Sequence, residues 1–232
     1  MKRKCLAVFI ALIAAVFCFS QDNFIVGEDL FMQNKPREAA PYLENAIAAD
    51  PSHVMAHLYL GIAYEQTGRI DEAISVYRQI LGRAGSLAAT TANNLGNAYF
   101  KQGSLVEAEA MYSQAITTDS IFAPAYLGRA NARIQRGSLT EAIQDYEQYL
   151  MLNPNTGQRG TIERLVSYVR TEIAEAERQR VIAEELARQE AERRQRLLDE
   201  VSASLQGAAG ASQGLSAGAE DVIGYDGEFE LE

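Results

Sequence analysis

Cysteine and histidine are scarce in this chain of 232 residues, with two of each. Both cysteines, Cys5 and Cys18, lie in the first segment. If that segment is removed, no thiol is left for a disulfide or a thiolate metal site. His53 and His57 are four apart, as two metal ligands on one helix face would be, but no third ligand accompanies them. The expectation is no metal, with His57 packed inside. Neither histidine has a nucleophile beside it in sequence. The chain has no nucleophile elbow, phosphate loop, metalloprotease helix or paired-cysteine motif. No catalytic residue, cofactor or small-molecule substrate is therefore expected, and the chain does not read as an enzyme. Basic residues are outnumbered, 21 Lys+Arg against 31 Asp+Glu, for a formal net charge of -10. That balance excludes binding nucleic acid or anionic headgroups by charge alone.

Long apolar runs are confined to the start. Met1-Lys2-Arg3-Lys4 is a basic head, and residues 5–19 are apolar up to Ser20. A basic head, a short apolar core and small residues at the cut describe a secretory signal peptide over 1–20. Cleavage after Ser20 puts Cys18 and Ser20 at the two positions that must be small. The run falls short of the roughly 20 residues that span a bilayer comfortably. A retained anchor and lipid attachment at Cys18 stand as alternatives, and Phe17 is bulky for the second. The expected location is the periplasm or cell envelope, with membrane association only if this segment is retained or lipidated.

What is abundant is a spacing. From Leu95 to Tyr112 the chain reads as two amphipathic helices around a tight turn. Gly103 supplies the left-handed residue that ends the first helix. Ser104 and Glu107 are spaced for a capping box on the second. Gly96 and Ala108 are small and allow close approach, and Tyr99 and Tyr112 fill the space around the crossing. The same order recurs in Leu60-Gly61, Tyr64, Gly68, Ala73 and Tyr77. It recurs again in Ala130, Gly137, Ser138, Glu141, Ala142 and Tyr146. An earlier unit holds Val26-Gly27, Leu30, Asn34, Ala39, Leu43, Ala46 and Pro51. The period is about 34 residues. Asn34 takes the glycine turn position, which asparagine tolerates, and Pro36 suits the opening turn that follows. Glu38, Glu72, Glu107 and Glu141 each fall in the first turn of a second helix, where the dipole favours negative charge.

On these residues the sequence resembles the tetratricopeptide repeat (TPR) family. It departs from the family pattern in three places. The large opening aromatic is Asn23, His57, Ala92 and Tyr126 in turn. The closing proline, present as Pro51 and Pro154, is Gly85 and Ser120 in the middle units. One extra residue near Ala88 separates the second and third units. The expected fold is all-α: a right-handed TPR α-solenoid of helix-turn-helix repeats, with a capping helix extended into a long charged helix. The four repeats take up 21–156, at about 20–53, 54–87, 89–122 and 123–156.

Beyond Asn153-Pro154 a new helix is expected over 161–201. Ile162, Leu165, Val166, Val169 and Ile173 form one apolar stripe that suits a cap on the array. Past Ala174 charge takes over, with Glu184–Arg188, Glu190–Arg194 and Glu192–Arg196 as favourable four-apart pairs. This stretch is either solitary or one strand of a weak coiled coil, so a homo-oligomer stays open. Residues 202–232 read as a disordered tail, rich in Gly, Ala and Ser and then acidic.

The resemblance implies a groove lined by the first helix of each repeat, which takes a partner peptide or helix. Its candidate lining is Phe24, Glu28 and Phe31, then Leu58, Ile62 and Glu65, then Asn93, Asn97, Phe100 and Lys101, then Leu127, Asn131 and Ile134. Leu58, Ile62, Asn93, Asn97, Phe100, Lys101, Leu127 and Asn131 form the candidate peptide-binding site. Asparagine amides pair with both backbone N–H and C=O. The family's clamp for C-terminal carboxylates needs several basic residues, and only Lys101 and Arg129 are offered. The function expected is a non-catalytic protein-interaction adaptor or scaffold of the cell envelope. The alternative is an assembly subunit of a membrane-associated complex that oligomerises through 161–201.

Overall fold

In the computed structural model of the protein, residues 23–220 are described, with side chains through residue 209. The signal peptide expected over 1–20 and the last acidic residues, 221–232, lie outside them. All regular structure among the described residues is helical. Helix α1 covers 23–32. It is followed by α2 (Pro36–Ala49), α3 (Val54–Gln66), α4 (Ile70–Ile80), α5 (Ala88–Gln102) and α6 (Leu105–Thr118). Next come α7 (Ala123–Arg136), α8 (Leu139–Leu152) and α9 (Arg159–Glu220). None of these helices is long and apolar enough to cross a membrane.

Helices α1/α2, α3/α4, α5/α6 and α7/α8 form four hairpins whose turns are built alike. Asn34, Gly68, Gly103 and Gly137 have positive φ, between 58° and 86°. Gly103 N–H donates to Phe100 O at 3.1 Å, and Ser104 N–H donates to Tyr99 O at 2.9 Å. The same pair of bonds joins Asn34 and Lys35 to Phe31 and Leu30, Gly68 and Arg69 to Glu65 and Tyr64, and Gly137 and Ser138 to Ile134 and Arg133. This is the Schellman motif, which satisfies carbonyls left over at the helix end. It displaces the capping box expected at Ser104. The box needs the backbone N–H of Ser104 for Glu107, and that N–H is spent on Tyr99. The Ser104 hydroxyl donates to Gln102 Oε1 at 2.9 Å instead, and no side chain caps α6.

The extra residue between the second and third units is absorbed by a 3-10 turn at Gly85–Leu87. The first helix of each hairpin forms an inner layer, with α5 touching both α3 and α7. Helix α4 packs between α3 and α5, and α6 packs between α5 and α7. The core runs along these contacts through Leu43, Leu60, Tyr64, Tyr77, Ile80 and Leu95. Tyr112 is 1% exposed and lies between two glycines. A Cβ on Gly96 would come within 2.8 Å of its ring, and one on Gly128 within 2.4 Å. The ring therefore serves α5 and α7 together.

The start of α9 buries Ile162, Val166 and Val169. Arg159 ties it to the end of α8, donating to Leu150 O and Pro154 O at 3.0 Å each, and Arg170 pairs with Glu147. The chain divides into two compact units at residue 170, and the second contains the rest of α9. The helix was expected to end near Val201, with a disordered tether beyond. It continues to Glu220. Ala203, Leu205, Gln206, Ala208 and Ala209 are good helix formers, and no proline interrupts them.

Candidate functional site

The inner layer carries the candidate site. Its first half is aromatic and closes on itself. Phe31 and Tyr59 have ring centroids 5.0 Å apart, and Phe24 lies 4.2 Å from His53. Leu58, a candidate residue of the peptide-binding site, is 4% exposed and belongs to the core. Ile62 is half-buried against that core. The histidines are structural. His53 Nδ1 accepts from Ala56 N–H at 3.2 Å and caps α3, while His57 is 1% exposed with Nδ1 3.0 Å from His53 O. Burial holds the His57 pKa below the ordinary histidine range, against the opposing hydrogen bond to the His53 carbonyl.

The second half is polar and more open. Asn97 and Asn131 are half-buried at equivalent positions on α5 and α7. Tyr112 Oη donates to Asn97 Oδ1 at 2.8 Å, and Tyr146 Oη donates to Asn131 Oδ1 at 2.6 Å. Burial pushes both phenols up, so both stay protonated and donate. Each asparagine thus commits its oxygen to its own hairpin and keeps its amide N–H groups for another acceptor. Asn93 differs. It is 7% exposed, and its buried Oδ1 meets no donor among the described residues. Phe100 and Leu127 are half-buried beside this pair.

Both candidate cations are paired. Lys101 Nζ lies 2.7 Å from Glu65 Oε2 across α5 and α3, and Glu65 Oε1 accepts from Tyr77 Oη at 2.8 Å. Burial, then the Glu65 charge, pushes the Tyr77 phenol up. Arg129 grips Asp145 with two bonds of 2.9 and 2.7 Å and donates to Ser113 Oγ at 3.0 Å.

That grip belongs to a network the sequence reading missed. Arg133 reaches Asp145 Oδ2 and Glu109 Oε1, both at 2.8 Å, and Arg136 also pairs with Glu109. Asp145 is 3% exposed. Burial alone would raise the Glu109 carboxyl, but Arg133 and Arg136 outweigh it and hold it below the usual carboxylate range. Burial likewise opposes the charge on Arg129, and Asp145 overcomes it and raises the guanidinium. A signal was present. Where the second and third repeats have Leu60 and Leu95, Tyr64 and Tyr99, and Val76 and Met111, the fourth has Arg129, Arg133 and Asp145. Three apolar positions become charged together, with complementary signs.

Comparison with known proteins completes the picture. A family model described as tetratricopeptide repeat matches residues 27–89 and 93–156, over half of the chain. RNA polymerase II-associated protein 3 of Xenopus laevis is 31% identical over 112 residues, 48% of this chain, and the chain spans only 17% of that protein. The crystal structure of MamA is matched with a TM-score of 0.56 at 20% identity, over 68% of this chain and 90% of that one. That likeness shows the fold alone. The first TPR of Spaghetti (RPAP3), bound to the HSP90 peptide SRMEEVD, is matched with a TM-score of 0.48 at 26% identity, over 52% of this chain and 93% of that one.

Proposed function

The chain belongs to the tetratricopeptide repeat family, and on that premise we propose a non-catalytic adaptor that captures an extended segment of a partner protein on its inner layer. The observation that carries the reading is the pair of committed asparagines. Asn97 and Asn131 present amide N–H groups one repeat apart, with their oxygens held by Tyr112 and Tyr146. Such a pair suits the backbone carbonyls of an extended peptide and is indifferent to its side chains. Phe100 and Leu127 supply apolar contact beside them. A partner anchored by a terminal carboxylate fits less well, because Lys101 and Arg129 already hold Glu65 and Asp145. We place the adaptor in the cell envelope on the basic head and short apolar core of residues 1–20.

The test is cross-linked co-purification from the native envelope with Asn97→Asp/Asn131→Asp. Aspartate keeps the oxygen for each tyrosine and removes the donated N–H groups. Circular dichroism should be unchanged and the partner lost. A partner that survives this change but disappears when the chain is truncated after Ala174 would move recognition to α9 and overturn the reading.

A further inference from the structure

Beyond Ile173, which is half-buried where the cap stripe ends, α9 is covered by no other helix among the described residues and carries a regular seam. Ile173, Ala176, Arg180, Ala183, Ala187, Glu190, Arg194 and Leu197 recur at alternating steps of three and four, which places them on one side of the helix. Leu197 is 54% exposed, and the Arg180 side chain is 66% exposed, with Glu177 at 2.8 Å and Glu184 at 3.6 Å on its own helix.

The charges in the seam decide what covers it. A parallel second copy would bring each residue against itself, so Arg180, Glu190 and Arg194 would make three layers of like charge. Turned end for end about a two-fold axis beside Glu185, the second copy gives a different set. Ile173 then meets Leu197, Arg180 meets Glu190, Ala183 meets Ala187 and Ala176 meets Arg194, each pair occurring twice. The seam is its own complement when reversed, in charge and in apolar ends. Leu186, 55% exposed, flanks the centre beside its own copy. Glu184 meets its copy on the other flank, where the in-helix contact with Arg180 offsets the repulsion.

We propose that residues 173–197 pair with a second copy of this chain as an antiparallel two-stranded coiled coil, with Arg180 of each copy against Glu190 of the other. The contact is isologous and about 36 Å long. It is independent of the inner-layer reading, since it uses no residue of α1 to α8. Joined to the function proposed above, it would give a bivalent adaptor with two peptide-binding arrays.

Sedimentation equilibrium of the full chain should show a dimer. Arg180→Glu should raise its Kd by about tenfold or more, since two attractive pairs become repulsive. Arg180→Glu/Glu190→Arg should recover part of that loss, the remainder being the new repulsion of the carboxylate at position 180 with Glu177 and Glu184 on its own helix. Arg180→Gln, which avoids new repulsion with Glu177 and Glu184, should weaken the dimer by less. In a background with Cys5→Ser and Cys18→Ser, a chain with Ile173→Cys mixed with one carrying Leu197→Cys should form the mixed disulfide, while Ile173→Cys alone should not link to itself. A monomer at every soluble concentration, self-linking through Ile173→Cys, or no recovery in the charge swap would overturn the proposal.

Discussion

The second and fourth repeats solve one packing problem with opposite chemistry. Around Tyr77, the second uses Leu60, Tyr64 and Val76, all buried. Around Tyr146, the fourth uses Arg129, Arg133 and Asp145, with Glu109 and Ser113 reached from α6. The backbone plan is unchanged, down to the hydrogen bonds of the turns. The repeat therefore specifies volume and position more strictly than polarity, provided that every buried charge finds its partner. The two solutions differ in how they fail. An apolar site loses contacts in proportion to what is removed, whereas a charged site that loses one member leaves the others buried and unpaired.

The largest effect should come from Asp145→Ala, which leaves Arg129 with no carboxylate and takes from Arg133 one of the two it grips. It should cost about 3–5 kcal/mol, read by urea denaturation. Rewriting the whole network in the manner of the second repeat, with Arg129→Leu/Arg133→Tyr/Asp145→Val and Glu109→Ile to match Ile74, should be neutral or stabilising by up to about 4 kcal/mol. A loss equal to that of Asp145→Ala would show that the polar network is not interchangeable with an apolar one. Next comes Gly128→Ala. Alanine favours a helix by about 1 kcal/mol, but its Cβ would fall 2.4 Å from the Tyr112 ring. Overpacking should win, for a net loss of about 1–3 kcal/mol.

The smallest effect separates the two regions by pH. His57 is held below its ordinary pKa by burial. Its contribution is present above the ordinary histidine range and is lost as pH falls through it. Glu109 is held below the carboxylate range, so its contribution persists until the pH falls much further. Hydrogen exchange between about pH 7.5 and 5.5 should show lower opening free energies in α3 while α7 and α8 hold theirs. His57→Gln should remove that slope. An equal loss in both regions would break the comparison.

The hairpins were legible because their determinants lie within one period. Small residue, aromatic and turn glycine sit at fixed offsets, and each acts on a neighbour. Asn97 and Asn131 were legible as inner-layer residues for the same reason. Their orientation was not, because it depends on tyrosines fifteen positions away. Leu58 and Asn93 share the inner repeat position with Leu127, but helical spacing gives direction and not depth, and both are buried. The charged network needs α6, α7 and α8 together. Read singly, Arg133, Glu109 and Asp145 are ordinary helix-surface residues. The Ser104 cap failed because a turn bond from outside its own helix claimed the N–H first.

Tyr112 carries a last consequence. Its ring is wedged against Gly96 in its own repeat and Gly128 in the next, so the third and fourth repeats share one side chain as a common rivet. A break between them would strip one wall from a ring that is 1% exposed, and a fragment ending at Asp119 would finish on bare aromatic surface. The seam between those two repeats is the wrong place to divide this molecule.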